Sequence, residues 1–124
     1  MNFKFPKAEK LKSRKQIEKL FEEGESLKVF PLRIRYLKTN EGGNNVQVAF
    51  SVPKRNFKKA VDRIRIKRVL RELYRKNKHL INQDLKHSYI LMFMFTDRQE
   101  WSYLDLEKKM TSLLTKFYNQ ELTQ

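Results

Sequence analysis

No cysteine occurs among the 124 residues, and acidic side chains are scarce, 14 against 28 Lys and Arg. The absence of cysteine excludes a disulfide scaffold, thiolate metal sites and cysteine nucleophiles, and it fits a reducing, cytoplasmic setting. Long hydrophobic stretches are missing too. The longest apolar run, residues 89–95, falls far short of the ~20 residues that span a bilayer, and the lysine-bearing N-terminus has no signal-peptide core. A soluble protein without membrane attachment is expected. The deficit of acid leaves a net charge of +14 and a pI near 10.1. Such a surplus costs self-repulsion in the compact state, and its usual counterpart is a polyanion such as nucleic acid.

At this length one domain is expected over residues 1–124, with residues 1–10 and 119–124 as loosely ordered tails. Apolar residues at 40% and aromatics at 12% can bury a core, which excludes a disordered basic tail. The positive charge is concentrated. Residues 54–78 hold twelve basic and two acidic side chains, a net +10, whereas residues 1–53 carry +5 and residues 79–124 carry −1. A polyanion would therefore meet the chain along residues 54–78.

Local patterns give a coarse secondary structure. Ser13-Arg14-Lys15-Gln16 has the form of a capping box, Ile17, Leu20 and Phe21 follow at helical spacing, and Gly24 is placed to end the helix. Residues 30–38 alternate, with Phe30, Leu32, Ile34 and Tyr36 opposite Pro31, Arg33 and Arg35. Residues 46–52 alternate as well, and the Gly42-Gly43 linker between the two predicts an antiparallel hairpin. Residues 60–80 lack Gly and Pro and predict a long helix. The apolar run 89–95 predicts a strand buried on both faces, and a last helix begins at Ser102. The expected order is αββαβα. Its β-α-β unit carries a right-handed prior if the two strands are parallel neighbours.

At 100° per residue, the long helix separates into two faces. Ile66, Val69, Leu70, Leu73 and Tyr74 form an apolar arc, while Arg65, Lys67, Arg68, Arg71, Arg75 and Lys78 occupy the opposite one. Five of its eight cations are arginines, whose planar fork suits bidentate phosphate contacts and stacking on unpaired bases. A solubilising face would mix both signs; only Asp62 and Glu72 interrupt this one. Ile64 breaks the pattern by falling among Arg68, Arg71 and Arg75, where it meets either a partner or the adjoining loop.

In Lys54-Arg55-Asn56-Phe57-Lys58-Lys59-Ala60-Val61-Asp62-Arg63-Ile64-Arg65-Ile66-Lys67-Arg68-Val69-Leu70-Arg71-Glu72, the chain resembles the protein subunit of bacterial ribonuclease P. That family's signature is a basic loop, then Ala, then Arg-Asn-Arg-x-Lys-Arg-x-x-Arg-Glu. The spacing agrees at Arg63, Arg65, Lys67, Arg68, Arg71 and Glu72. Lys10-Leu11 through Phe21 and Gly24, together with Ser51-Val52, extend the resemblance over nearly the whole chain. Two positions depart from the pattern. Ile64 replaces the central Asn, removing any hydrogen bond that amide would make, and Ile17 stands at the first aromatic position of the opening helix.

The resemblance implies an α+β two-layer sandwich of the ribosomal protein S5 domain 2-like type, with a left-handed βαβ crossover that overrides the right-handed prior. It also implies a role in tRNA processing. In that family an RNA subunit, using Mg2+, hydrolyses the phosphodiester at the 5′ end of precursor tRNA, so no catalytic or metal-binding residue is assigned to this chain. The RNA-contact positions carried over are Arg63, Arg65, Lys67, Arg68 and Arg71, with Lys54 and Arg55 in the basic loop. Lys58, Lys59 and Arg75 extend the same cationic surface. For the single-stranded 5′ leader the candidates are Ile17, Phe21, Arg33, Tyr36 and Ser51, although alternation sets Tyr36 opposite Arg33. The implied partners are ribonuclease P RNA and precursor tRNA, with no protein partner required. A structural RNA-binding protein of ribosomal type, without a role in turnover, is the alternative.

An autonomous nuclease would need clustered carboxylates or paired histidines. His79 and His87 flank the loop after the basic helix, and Asp84, Asp97, Glu100 and Asp105 are scattered without metal-ligand spacing. The chain alone is expected to be inert toward RNA.

Overall fold

Ser13 begins the first helix as expected: its backbone is extended and its hydroxyl accepts from the Gln16 amide at 3.3 Å. In the computed structural model, which describes residues 9–39, 45–82 and 85–122, this helix, α1, spans Arg14–Glu23. It stops where the Gly24 amide donates to the Leu20 carbonyl at 2.9 Å. A Cβ on Gly24 would collide with that carbonyl and stand 2.9 Å from the Tyr36 carbonyl, so the close approach of strand and helix requires glycine.

Four strands follow: β1 (Glu25–Val29), β2 (Leu32–Thr39), β3 (Val46–Ser51) and, after helix α2 (Ala60–Asn77), β4 (Ser88–Phe95). Helix α3 (Tyr103–Phe117) comes last, capped by the Ser102 hydroxyl accepting from the Asp105 amide at 3.2 Å. The sheet order is β1-β2-β4-β3. β1 pairs antiparallel with β2, β2 antiparallel with β4, and β3 parallel with β4. The α+β class and the expected elements are present, with β1 as an additional strand before the first one predicted.

The hairpin predicted between residues 30–38 and 46–52 does not form. Every side chain of β4 from Ser88 to Met92 is buried, as are Phe93 and Phe95, so β4 needs partners on both sides and takes the place between β2 and β3. β2 forms its hairpin with β1 instead, around Phe30 and Pro31. The Gly42-Gly43 linker lies outside the described residues.

The two faces of the sheet are covered unequally. Helices α2 and α3 pack on one, burying Leu27, Ile34, Tyr36, Val48, Leu91, Phe93 and Phe95 against Leu70, Leu73, Tyr74, Met110, Leu114 and Phe117. The Phe93 ring lies 5.5 Å from Tyr74 and 5.7 Å from Phe50. On the other face a small cluster of Leu11, Leu20, Ile90 and Met92 sits under α1 alone. One short helix cannot cover four strands, so much of this face stays accessible. Of the expected tails, residues 1–8 and 123–124 lie outside the described residues, while the Glu9 carboxylate pairs with Lys78 at 2.8 Å and Glu121 accepts from Tyr36. Among the described residues, no helix is long and apolar enough to cross a membrane.

Candidate nucleic-acid interface

The apolar arc of α2 faces the core through Ile66, Leu70, Leu73 and Tyr74, which turns its cationic arc outward. Lys67, Arg68 and Arg71 make no hydrogen bond or ion pair among the described residues. Lys54, Arg55, Lys58 and Lys59 of the preceding loop are exposed. Three predicted contact residues have other engagements. Arg63 turns back under the loop and donates through Nη1 to the Phe57 and Lys58 carbonyls at 2.7 and 2.9 Å. Arg65 bonds Asp62 at 2.7 Å and Glu100 at 2.5 Å. The hydrogen bonds to Glu100 and then Asp62 push its pKa further above the ordinary guanidinium value. Arg75 is half-buried, and its Nε is buried without a hydrogen-bond partner among the described residues.

Glu100 is held near Arg65 by its own loop, where the Trp101 indole N–H donates to Asp97 at 2.8 Å. That bond is the main cause lowering the Asp97 pKa from its ordinary value. The Arg65–Glu100 pairing joins residues 35 positions apart, and no local pattern could have revealed it.

On the α1 side of the sheet, register sets Lys28, Arg33, Met94 and Ser51 in one row across all four strands. Phe21 of α1 is 47% exposed over the same face, and Ile17 packs on the small cluster beneath. Four of the five leader candidates, Ile17, Phe21, Arg33 and Ser51, thus share one surface. Tyr36 does not. It is 3% exposed on the opposite face, its ring 5.0 Å from Phe117 and its hydroxyl 2.9 Å from Glu25 and 2.8 Å from Glu121. Strand alternation prevails there: Tyr36 is one residue out of phase with Arg35 and so belongs to the core.

Arg35 was absent from the candidates and is central to this surface. Its guanidinium donates to the Leu20 and Phe21 carbonyls at the end of α1 and stands 5.6 Å from the Phe21 ring centroid. A cation there satisfies terminal helix carbonyls and fixes an exposed ring. Its alternation with Arg33 was the signal available in the sequence.

The two surfaces meet at the β3 edge. The Leu11 amide donates to the Val48 carbonyl at 2.9 Å, which draws the N-terminal segment along that strand. A groove of about 270 Å³ lies there, lined by Lys10, Leu11, Lys12, Val48, Ala49, Phe50 and Arg71. Arg71 of α2 thus lines the same groove as Leu11 and Ala49, which belong to the cluster under α1. Among the described residues, no group of three or more His, Asp or Glu side chains is arranged to hold a metal ion.

The family model described as Ribonuclease P matches residues 5–118. The ribonuclease P protein component of Porphyromonas gingivalis is 35% identical over 118 residues, covering 92% of this chain and 86% of the relative. That of Dictyoglomus thermophilum is 33% identical over 84 residues, covering 68% of each. In fold the chain is similar to the RNase P protein from Thermotoga maritima, with a TM-score of 0.72 at 21% identity over 87% of this chain and 96% of that one. The Staphylococcus aureus RNase P protein gives 0.69 at 21% identity over 89% and 95%.

Proposed function

Because the chain belongs to the ribonuclease P protein family, and is thus a protein component of a tRNA-processing endoribonuclease, we propose that it binds two RNAs through two adjoining surfaces. The loop and outer face of α2 take the ribonuclease P RNA. The face under α1 takes the single-stranded 5′ leader of precursor tRNA.

The observation that carries the reading is the set Lys67, Arg68 and Arg71, free of acidic partners on the outward arc of a helix whose other arc is core. Lys54, Arg55, Lys58 and Lys59 extend it toward the helix N-terminus, and Arg63 braces that loop. Arg65 and Arg75 flank the set; Arg65 exchanges Glu100 for phosphate when RNA arrives. Neutralising six to ten phosphates would lower affinity by about 10³ to 10⁵ between 50 and 200 mM salt.

On the other surface, Phe21 offers a ring for base stacking, Arg33 and Lys28 offer cations for the leader backbone, and Ser51 a hydroxyl. Magnesium belongs with the RNA subunit, where it supplies the hydrolytic chemistry. This chain's residues bind and position the leader so that the scissile phosphodiester lies at that centre. The reaction takes place where the polypeptide works, in the cytoplasm.

Single-turnover cleavage of precursor tRNA by a bacterial ribonuclease P RNA at low magnesium, with and without the chain, tests this. One substrate carries a long 5′ leader and the other a leader of one nucleotide. The protein is expected to raise rate or affinity chiefly for the long leader. RNA binding that leaves cleavage of both substrates unchanged would replace this reading with that of a structural RNA-binding protein.

A further inference from the structure

The outward arc of α2 is not uniformly cationic. Val61 is 62% exposed and Ile64 is 56% exposed, although large apolar side chains on the other arc of the same helix are buried. At 100° per residue the two lie 60° apart. Ile64 precedes Arg68 by four positions and Arg71 by seven, and Val61 precedes Arg65 by four and Arg68 by seven, so each stands one or two turns above a guanidinium. Ala60, at the first turn of the helix, is exposed beside them. The face is thus divided along its length: methyl groups over its N-terminal turns, and below them Arg68 and Arg71, which make no ion pair among the described residues.

We propose that Val61 and Ile64 form an apolar platform that seats an unstacked nucleobase or ribose of the RNA bound by α2. This rests on the reading that α2 binds ribonuclease P RNA. Charge complementarity selects the occupant. Lys67, Arg68 and Arg71 border the platform on its C-terminal side without acidic partners among the described residues, so a ligand that covers the methyl groups and continues along the helix passes its charge over these cations. A polyanion that also carries apolar rings meets both demands, and an unpaired nucleotide is such a ligand. The resident Ile64 cannot donate or accept a hydrogen bond. Recognition at this position is therefore by shape and dehydration, not by a polar contact.

The two kinds of contact respond differently to salt. Phosphate contacts release counterions and set the slope of log affinity against log salt, whereas apolar burial adds a factor that salt leaves nearly unchanged. The test measures the dissociation constant of the chain for a fluorescently labelled bacterial ribonuclease P RNA from about 50 to 400 mM KCl. The proteins are the wild type, the double variant Val61→Ala/Ile64→Ala, Ile64→Asn and Arg68→Ala.

The double variant is expected to bind about tenfold more weakly at every salt concentration, with the slope unchanged. Arg68→Ala is expected to flatten the slope by roughly one unit. Ile64→Asn is expected to lose part of the salt-independent factor. Equal affinities for the double variant and the wild type, or a loss that disappears at high salt, would overturn the platform while leaving RNA binding by α2 intact. Wild-type chain that fails to bind the RNA overturns the RNA-binding reading and the platform together. Sedimentation of each protein alone provides a further arm: self-association of the wild type that the double variant abolishes, with RNA affinity unchanged, would assign the patch to a second copy of the chain and overturn the proposal.

Discussion

Replacing Tyr36 by Phe separates the two surfaces of β2 by what each does. The hydroxyl stands 2.9 Å from Glu25 and 2.8 Å from Glu121. A phenol has one proton, so it donates to one carboxylate at a time, and its removal deprives both. A hydrogen bond to a charged group contributes about 1.5–3 kcal/mol, and the lower half of that range applies because Glu25 is exposed and water can replace the lost donor. The Phe ring keeps its 5.0 Å contact with Phe117, so no cavity forms. A loss of about 1.5 kcal/mol corresponds to a fall in Tm of roughly 4–9 °C for a domain of this size. Urea unfolding followed by circular dichroism measures it, with the midpoint lowered and the m-value unchanged. Phe21→Ala is the complement: stability nearly unchanged, and affinity for a long-leader precursor tRNA weakened by about 5- to 160-fold, the usual worth of one base–aromatic stack. Unchanged stability in Tyr36→Phe, or weakened leader binding without loss of stability, would refute the assignment of Tyr36 to the core.

Three further outcomes follow from the geometry. Gly24→Ala should cost about 1–3 kcal/mol, since a methyl group there meets the Leu20 and Tyr36 carbonyls; a Tm within a degree of wild type would contradict this. Burial is the main cause raising the phenol pKa values of Tyr36, Tyr74 and Tyr89 above the ordinary value of 10.0. The folded state therefore favours their protonated form, and their contribution is complete below about pH 10 and declines above it as the unfolded chain ionises first, by about 1.4 kcal/mol per pH unit and tyrosine. Urea midpoints measured from about pH 8 to 11 should fall only in the last unit, and less steeply in Tyr36→Phe. Glu100→Gln should leave Arg65 with Asp62 as its one ionic partner among the described residues and tighten RNA binding roughly two- to fivefold at low salt, with the gain fading as salt rises; equal affinity at every salt concentration would show that the Glu100 ion pair does not compete with RNA.

The helices were the most legible part of the sequence. Ser13, Gly24 and Ser102 are local signals, each answered by a hydrogen bond within four residues, and the two arcs of α2 follow from helical period alone. Strand β4 announced its central place through an unbroken apolar run. What that place does to its neighbours is not local: the pairing of β2 and β3 with β4, and not with each other, depends on residues 88–95 arriving between them. β1 was missed because only Leu27 of its five residues is buried and no Gly or Asn marks its turn into β2. For the interface, alternation set Tyr36 opposite Arg33, whereas the row that joins Arg33 to Ser51 through Met94 depends on strand register and the capture of Arg65 by Glu100 needed the tertiary fold.

The seat of β4 between β2 and β3 bears on how the chain is made. A ribosome releases α1, the β1–β2 hairpin, β3 and the whole of α2 before the strand that joins them exists. Until residue 95 has emerged, β3 has no strand partner among the paired strands, and α2 has no sheet on which to lay its apolar arc. The cationic segment therefore leaves the ribosome ahead of the strand that completes its core. A chain arrested before β4 would present these arginines on an unfolded segment, which makes the last third of the translation product the arbiter of whether the first two thirds fold.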